Sequence, residues 1–392
     1  MKVLKIAMGH PDNVLTLTRE MSRLLEVTLV FVVSGNRFRE GVLDLDISGL
    51  DYGLNTNIRK NLDILPENIR DYLGENFRLY FIRTPDLKIL KDKKFRNFRY
   101  IRSSIKALKK EGYDLVHFNG TSGFLLYFVP MFRKYPKVWT LHDYKAHSGE
   151  KNLQAFFINR FVSKFKFHFI QHYHFLRKKL IQQYGLPAGR VHTIYSGSLD
   201  VITTFQEKPV GGLTSGFILF FGRISRYKGV DLLLEAYAKL EQNDELPALV
   251  IAGGGEFWFD VSEYERKLSA FIINRYLPTS ELVWLIRNSI YIVTPYRDAT
   301  HSAVIATAYA FNKPVVATNV DGLSEVVLDE NTGLLVNPNE PNALKKSMQR
   351  MNQDSKILEY YSRNIKKLRR DGKLSWNSII QDYLTVYQKA IK

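Results

Sequence analysis

The 392-residue chain contains no cysteine. That excludes disulfide bridges, thiolate metal sites and a cysteine nucleophile, and it suits a reducing compartment. Long apolar runs are missing too. The longest, Phe124–Phe132, contains Pro130 and falls far short of the roughly 18 residues that a membrane-spanning helix needs. Met1–Met8 reads as a short strand interrupted by Lys2 and Lys5, not as a signal peptide, so a soluble protein is expected. No Gly-x-Gly-x-x-Gly follows a first strand, which disfavours a nicotinamide dehydrogenase; Gly253–Gly255 is a weak match in the wrong place. No disorder signature appears, because hydrophobic residues make up 45 % of the chain and aromatic residues 13 %.

Acidic residues are scarce in the first half. Residues 1–200 hold 33 Lys+Arg against 18 Asp+Glu, whereas residues 201–392 hold 23 against 21, so the net charge of +17 lies almost wholly in the first half. Lys88–Lys110 has ten Lys/Arg and one Asp, and Lys151–Arg190 is also basic. Phe95, Phe98, Tyr100, Phe156, Phe157 and Phe161 interleave with these cations, which suits an anionic membrane surface. No nucleic-acid-binding module accompanies the charge, so nucleic acid is not expected as a partner.

Short apolar runs alternate with helical patterns along almost the whole chain, as in a parallel sheet covered on both faces. Lys2–Met8, Val27–Ser34, Phe77–Ile82, Asp114–Phe118, Lys137–Leu141 and Val191–Ile194 read as strands, and Phe165, Phe167 and Phe169 alternating with cations favour another. Phe217–Phe221, Ala248–Ala252, Tyr291–Thr294, Val315–Thr318 and Leu334–Val336 repeat the logic in the second half. Val201–Ser215, with Pro209, Gly211 and Gly212, has linker chemistry. The expected fold class is α/β: a doubly wound domain over residues 1–205, a second over 206–374, and an amphipathic helix over 375–392 returning to the first.

The most informative stretch is Phe217-Ile-Leu-Phe-Phe-Gly-Arg-Ile-Ser-Arg-Tyr-Lys-Gly-Val. A buried strand ends at Gly222, a loop carries Arg223 and Lys228, and a helix starts near Gly229. Glycine permits the sharp turn, the guanidinium and ammonium supply fixed and mobile cations, and the helix start adds oriented amides. Together these suit a diphosphate.

Gly-Arg-x₄-Lys-Gly at residues 222–229 resembles the donor-phosphate motif of the retaining GT-B glycosyltransferases, specifically glycosyltransferase family 4. Val250-Ile-Ala-Gly-Gly-Gly, Ile290–Pro295, Asn312-Lys-Pro-Val-Val-Ala-Thr-Asn-Val-Asp-Gly-Leu-Ser-Glu and Asn331-Thr-Gly-Leu-Leu-Val resemble the family's later blocks, in its order. The resemblance implies two Rossmann-like domains facing a central cleft. It implies that Arg223 and Lys228 grip the donor diphosphate, and that Asn274, Arg275 and Tyr276 flank the base. It also implies a departure. The family's Glu-x₇-Glu pair falls on Ala299 and Thr307, neither of them a carboxylate. Asp298 is a substitute for the sugar contact or a helix cap; the amides of Thr300, His301, Ser302, Ala303 and Val304 would face the donor, and Thr307 would offer a hydroxyl to the ribose.

In the first domain, Trp139-Thr-Leu-His-Asp resembles the family's strand ending in an active-site histidine, which makes His142 the candidate beside the donor sugar. Gly9 and His10 after the first strand, and His147 and Glu150 downstream, are acceptor-side candidates. His117 is expected to be structural, and Asp44-Leu-Asp46 is read as a solvated loop, not a metal motif. The resemblance implies a metal-independent sugar transfer with no cofactor, from a nucleotide sugar to a glycan or lipid-linked acceptor. It suggests bacterial surface-polysaccharide synthesis by a cytoplasmic protein peripheral to the inner face of the membrane. The loss of both carboxylates leaves a second reading: a non-catalytic nucleotide-sugar- or glycan-binding relative.

Overall fold

The computed structural model describes residues 1–85, 96–142, 153–241, 246–299 and 302–392. Two compact units divide the chain. One holds residues 1–142, 153–197 and Trp376–Lys392, and the other holds Ser198–Ser375.

The first unit is built on an eight-stranded sheet. Its strands are β1 (Lys2–Ala7), β2 (Glu26–Ser34), β5 (Gly53–Asn55), β6 (Arg78–Thr84), β7 (Leu115–Asn119), β8 (Lys137–Thr140), β9 (His168–Gln171) and β10 (Val191–Thr193). They run in the order β10-β9-β8-β7-β1-β2-β6-β5, with every pair parallel except β5 against β6. The order reverses at β1, so β1 and its neighbours are covered on both faces. That is why Leu4 and Ile6 are as fully buried as Val3. β3 (Arg37–Glu40) and β4 (Leu43–Asp46) form a separate antiparallel hairpin. This corrects the reading of Asp44–Asp46 as loop: Leu43 and Leu45 are buried, while Asp44 faces outward and pairs with Arg37 and Arg39.

The helix Trp376–Ile391 belongs to this unit. Ile379, Ile380, Tyr383, Val386 and Tyr387 pack on Val3, Leu17, Met21, Leu115, Val138 and Ile170. Each such side chain contributes roughly 1.5–3 kcal/mol on burial. Trp376 closes over Gly197, where an added Cβ would lie 2.6 Å from the indole. His117 is wholly buried between the Tyr387 hydroxyl at 2.6 Å and the Thr140 hydroxyl at 2.8 Å. Burial, with Lys5 adjacent, holds its imidazole well below the usual histidine range.

The second unit has six parallel strands: β11 (Phe217–Phe221), β12 (Leu249–Ala252), β13 (Ala270–Ile273), β14 (Ser289–Thr294), β15 (Val315–Thr318) and β16 (Gly333–Val336). Their order is β13-β12-β11-β14-β15-β16, so the order reverses between β11 and β14. Ligands of such sheets bind beyond the strands' carboxyl ends at this switch point. In the stretch read as linker, the short helix Asp200–Thr204 buries Val201 and Ile202 in this unit. Among the described residues, no helix is long and apolar enough to cross a membrane.

Candidate active site

At the switch point of the second unit, β11 runs into Gly222, whose φ of 125° suits glycine alone. Gly253, after β12, packs so closely that a Cβ there would lie 2.0 Å from the Gly222 carbonyl oxygen. Ile224 then bridges Gly255, and the Ile224 amide donates to the Gly254 carbonyl at 3.0 Å. The loop is thus stitched along the glycine turn and leaves the Arg223 side chain at the exposed surface.

Lys228 ends a short turn of helix, Arg226–Lys228, and is buried. Its ammonium sits 3.9 Å from the centroid of the Tyr296 ring and 5.3 Å from that of Tyr227, so two aromatic faces hold the cation where water is scarce. Gly229 follows with φ 69°, and a Cβ there would stand 2.0 Å from the Pro295 carbonyl oxygen. Only glycine can close this turn into the helix Val230–Glu241.

Arg297 carries no strong sequence signal, yet it organises the loop. Its amide donates to the Tyr227 carbonyl at 2.7 Å, and its guanidinium donates to the Arg226 carbonyl at 2.9 Å. The same guanidinium forks onto Asp231 at 2.6 and 2.7 Å. A charge pattern linking positions 231 and 297 is invisible in a linear reading.

The helix Ala303–Ala310 begins beside this loop. Ser302 caps it by accepting from the Ile305 amide, and the Val304 side chain lies 3.5 Å from where a Gly222 Cβ would be. Ser302, Ala303, Val304 and Gly222 are therefore gathered at one point. Thr307 lies within this helix and is buried, as is Ala299; Asp298 is half-buried just before. Asn274 accepts from the Gly255 amide at 3.1 Å, and Arg275 pairs with Glu281 at 2.6 Å. Asn274 thus braces the glycine turn, whereas the neighbouring Tyr276 is 57 % exposed. Thr300, His301, His147 and Glu150 lie outside the described residues.

In the first unit, the candidate histidines collect at the carboxyl ends of the strands. His142 follows β8 and is buried; its Nε2 accepts from the Asn119 amide, at the end of β7, at 3.1 Å. His10 stacks on His142, and His172, after β9, lies 5.1 Å away between ring centroids. The His172 Nδ1 donates to the Ile194 carbonyl at 2.9 Å.

His10 occupies the left-handed region, φ 56°, and caps the helix Pro11–Ser22. Its amide donates to Glu40 at 2.9 Å, and Gly9, φ 139°, leaves room for that carboxylate. Asp12 accepts from the Val42 amide at 2.6 Å. Burial, reinforced by the nearby charge of Glu40, pushes its carboxyl up to about 6 against the opposing Val42 hydrogen bond. Asn119, His172, Asp12 and Glu40 escaped the sequence reading. Pro11 at the first helical position was the one available signal for where this helix starts. Among the described residues, no group of three or more His, Asp or Glu is placed to hold a metal ion.

Two parallel α/β units of this topology define the GT-B fold of glycosyltransferases. The structure superposes on a sucrose-phosphate synthase from Thermosynechococcus elongatus with a TM-score of 0.68, at 17 % identity and over 99 % of each chain. It superposes on Anabaena HepE in complex with UDP and glucose with a TM-score of 0.66, at 15 % identity and over 99 % of this chain and 100 % of that one. Residues 13–198 match the family model described as Glycosyltransferase Family 4, and residues 201–368 match that of Glycosyl transferases group 1. The chain belongs to this glycosyltransferase family. Among curated relatives, an uncharacterized glycosyltransferase of Methanocaldococcus jannaschii is 25 % identical over 76 % of this chain and 82 % of its own length. The D-inositol 3-phosphate glycosyltransferase of Thermobifida fusca is 29 % identical over 54 % of this chain, which spans about half (53 %) of that relative.

Proposed function

We propose that the protein is a retaining hexosyltransferase that moves a sugar from a nucleotide-sugar donor to a glycan or lipid-linked acceptor in polysaccharide synthesis. It would work on the cytoplasmic side, at a membrane surface. The observation that carries the reading is the Gly222–Lys228 loop. It carries an exposed Arg223 and the ring-held ammonium of Lys228, and its Gly222 lies against Val304 at the start of the helix Ala303–Ala310. Two cations of one loop and the amides of a helix start would stabilise a departing nucleoside diphosphate. Charge developing there needs no further ion, so the proposal includes metal independence. The nucleotide class has support from the superposed Anabaena HepE, whose complexes contain UDP and UDP-glucose.

With Ala299 and Thr307 where the family places carboxylates, those positions offer no carboxylate nucleophile for a covalent sugar adduct. The acceptor hydroxyl then attacks from the face the leaving diphosphate vacates, and that diphosphate takes the proton. Backbone amides at residues 302–304 replace the lost side-chain contacts to the donor. The test is thermal shift against UDP-, GDP-, ADP- and CMP-sugars, in EDTA and in magnesium, with Arg223→Ala and Lys228→Ala. Stabilisation by one donor, equal in both buffers and lost in both variants, supports the reading. A shift that requires magnesium overturns metal independence, and one that survives in both variants overturns the diphosphate site.

A further inference from the structure

The structure holds a basic, aromatic-floored cavity in the first unit, at the entering end of β9, whereas His172 follows that strand's leaving end. Arg160, Lys164 and Arg190 line it together with Phe165, Phe167 and Tyr184, and its volume is about 360 Å³. Beside it runs the helix Leu153–Val162. Ile158, Asn159 and Val162 are buried on its inner side, which fixes how the helix is turned. Phe157 and Phe161, one turn apart, are then directed outward and are 66 % and 42 % exposed. Arg160, on the same helix, and Lys164, in the turn that follows it, are both exposed. From Lys151 to Arg190 the chain carries eight Lys or Arg and no Asp or Glu.

Two exposed phenyl rings flanked by cations, with no carboxylate in forty residues of sequence, do not suit water alone. A soluble acidic partner would satisfy the cations but would gain little from the exposed parts of these two rings. An anionic bilayer satisfies both, because the rings enter the acyl boundary while the cations stay at headgroup depth. We propose that this face docks the protein on an anionic phospholipid surface. Phe157 and Phe161 insert, and the Arg160–Lys164–Arg190 cavity takes one phosphate-bearing headgroup. The inference rests on the membrane-surface part of the function proposed above, and it assigns that contact to this face instead of the basic helix Arg96–Lys109.

Flotation of the full chain with vesicles of phosphatidylcholine, with and without phosphatidylglycerol, tests it. Three variants are compared with the parent: Phe157→Ser with Phe161→Ser, Arg160→Glu with Lys164→Glu and Arg190→Glu, and a control with Arg99→Glu, Arg102→Glu and Lys106→Glu. Melting temperatures confirm that each variant folds. The expected result is binding only to vesicles containing phosphatidylglycerol, weakened about tenfold or more in the first two variants and less than about threefold in the control. Loss in the control alone moves the contact to the helix Arg96–Lys109 and overturns this assignment while leaving the membrane reading standing. Loss only in the charge variant overturns ring insertion. A parent protein that binds neither vesicle overturns both the face and the membrane reading, and the donor thermal shift still decides sugar transfer independently.

Discussion

The imidazole of His10 stacks on that of His142, with 3.9 Å between centroids and 30° between planes. One ring comes from a left-handed cap and the other from the end of β8, so the Gly9–His10 turn and the β8 terminus position each other. The stack fixes the plane of His142, and the Asn119 side chain holds its Nε2 at 3.1 Å.

Replacing His142 by Ala is expected to lower sugar transfer roughly 10²-fold, the range for losing a positioned imidazole. Asn119→Ala should cost less, because the ring remains, still held by the His10 stack, and loses only one hydrogen bond. Single-turnover transfer with the donor found by thermal shift measures both. Unchanged rates in His142→Ala would remove it from the reaction.

Gly229→Ala should destabilise the second unit by about 2–4 kcal/mol, since an αL conformation and an overlap with the Pro295 carbonyl both oppose a methyl group there. Gly211→Ala, with no atom within 4 Å of the added Cβ, should be nearly neutral. Urea unfolding of the two variants gives the comparison. Equal stability would show that the turn can relax around a side chain.

Arg297→Lys tests whether the fork onto Asp231 matters as geometry. Lysine keeps the charge but cannot span two carboxylate oxygens and the Arg226 carbonyl together. Donor affinity is expected to fall about tenfold, with Asp231→Asn producing a similar loss. Isothermal titration with the donor measures this, and full affinity in Arg297→Lys would mean that charge alone holds the loop.

Asp12 gives a pH signature. Its carboxyl sits at about 6 in the folded protein against an ordinary 3.8. Below 3.8 both states hold the proton. Between about 4 and 6 the unfolded chain releases it while the folded protein keeps it, so stability falls as pH rises through this window and levels above it. The difference amounts to about 2–3 kcal/mol. Asp12→Asn should remove that slope and be the more stable protein at pH 7. Parallel slopes in the parent and Asp12→Asn, followed by urea unfolding across pH 4–7, would exclude the effect.

What was legible follows from how signals are written in a sequence. The phosphate loop could be read because glycine, arginine and lysine stand within eight positions after a continuous apolar strand. The parallel sheets could be read because strands buried on both faces need unbroken Val, Ile, Leu and Phe. The β3–β4 hairpin could not, since Arg37-Phe-Arg-Glu and Leu43-Asp-Leu-Asp hold only one and two apolar residues, too few for an alternation to stand out from a solvated loop. β13 was missed: Ala270–Ile273 is an edge strand with no fully buried residue and follows closely on the short helix Ser262–Lys267. Asn119, His172 and Arg297 are single residues at strand ends, whose roles exist only once distant strands lie side by side.

The order of synthesis differs from the order of packing. The chain leaves the first unit at Gly197, completes the whole second unit, and only then supplies Trp376 and the helix that covers β1, β7 and β8. During translation, the second unit has all its strands in hand while the first still exposes an apolar face from Val3 to Ile194. The earliest-made half is thus the last to be completed, and a chain ending at Ser375 would keep every strand of both sheets but leave the apolar face of the first uncovered.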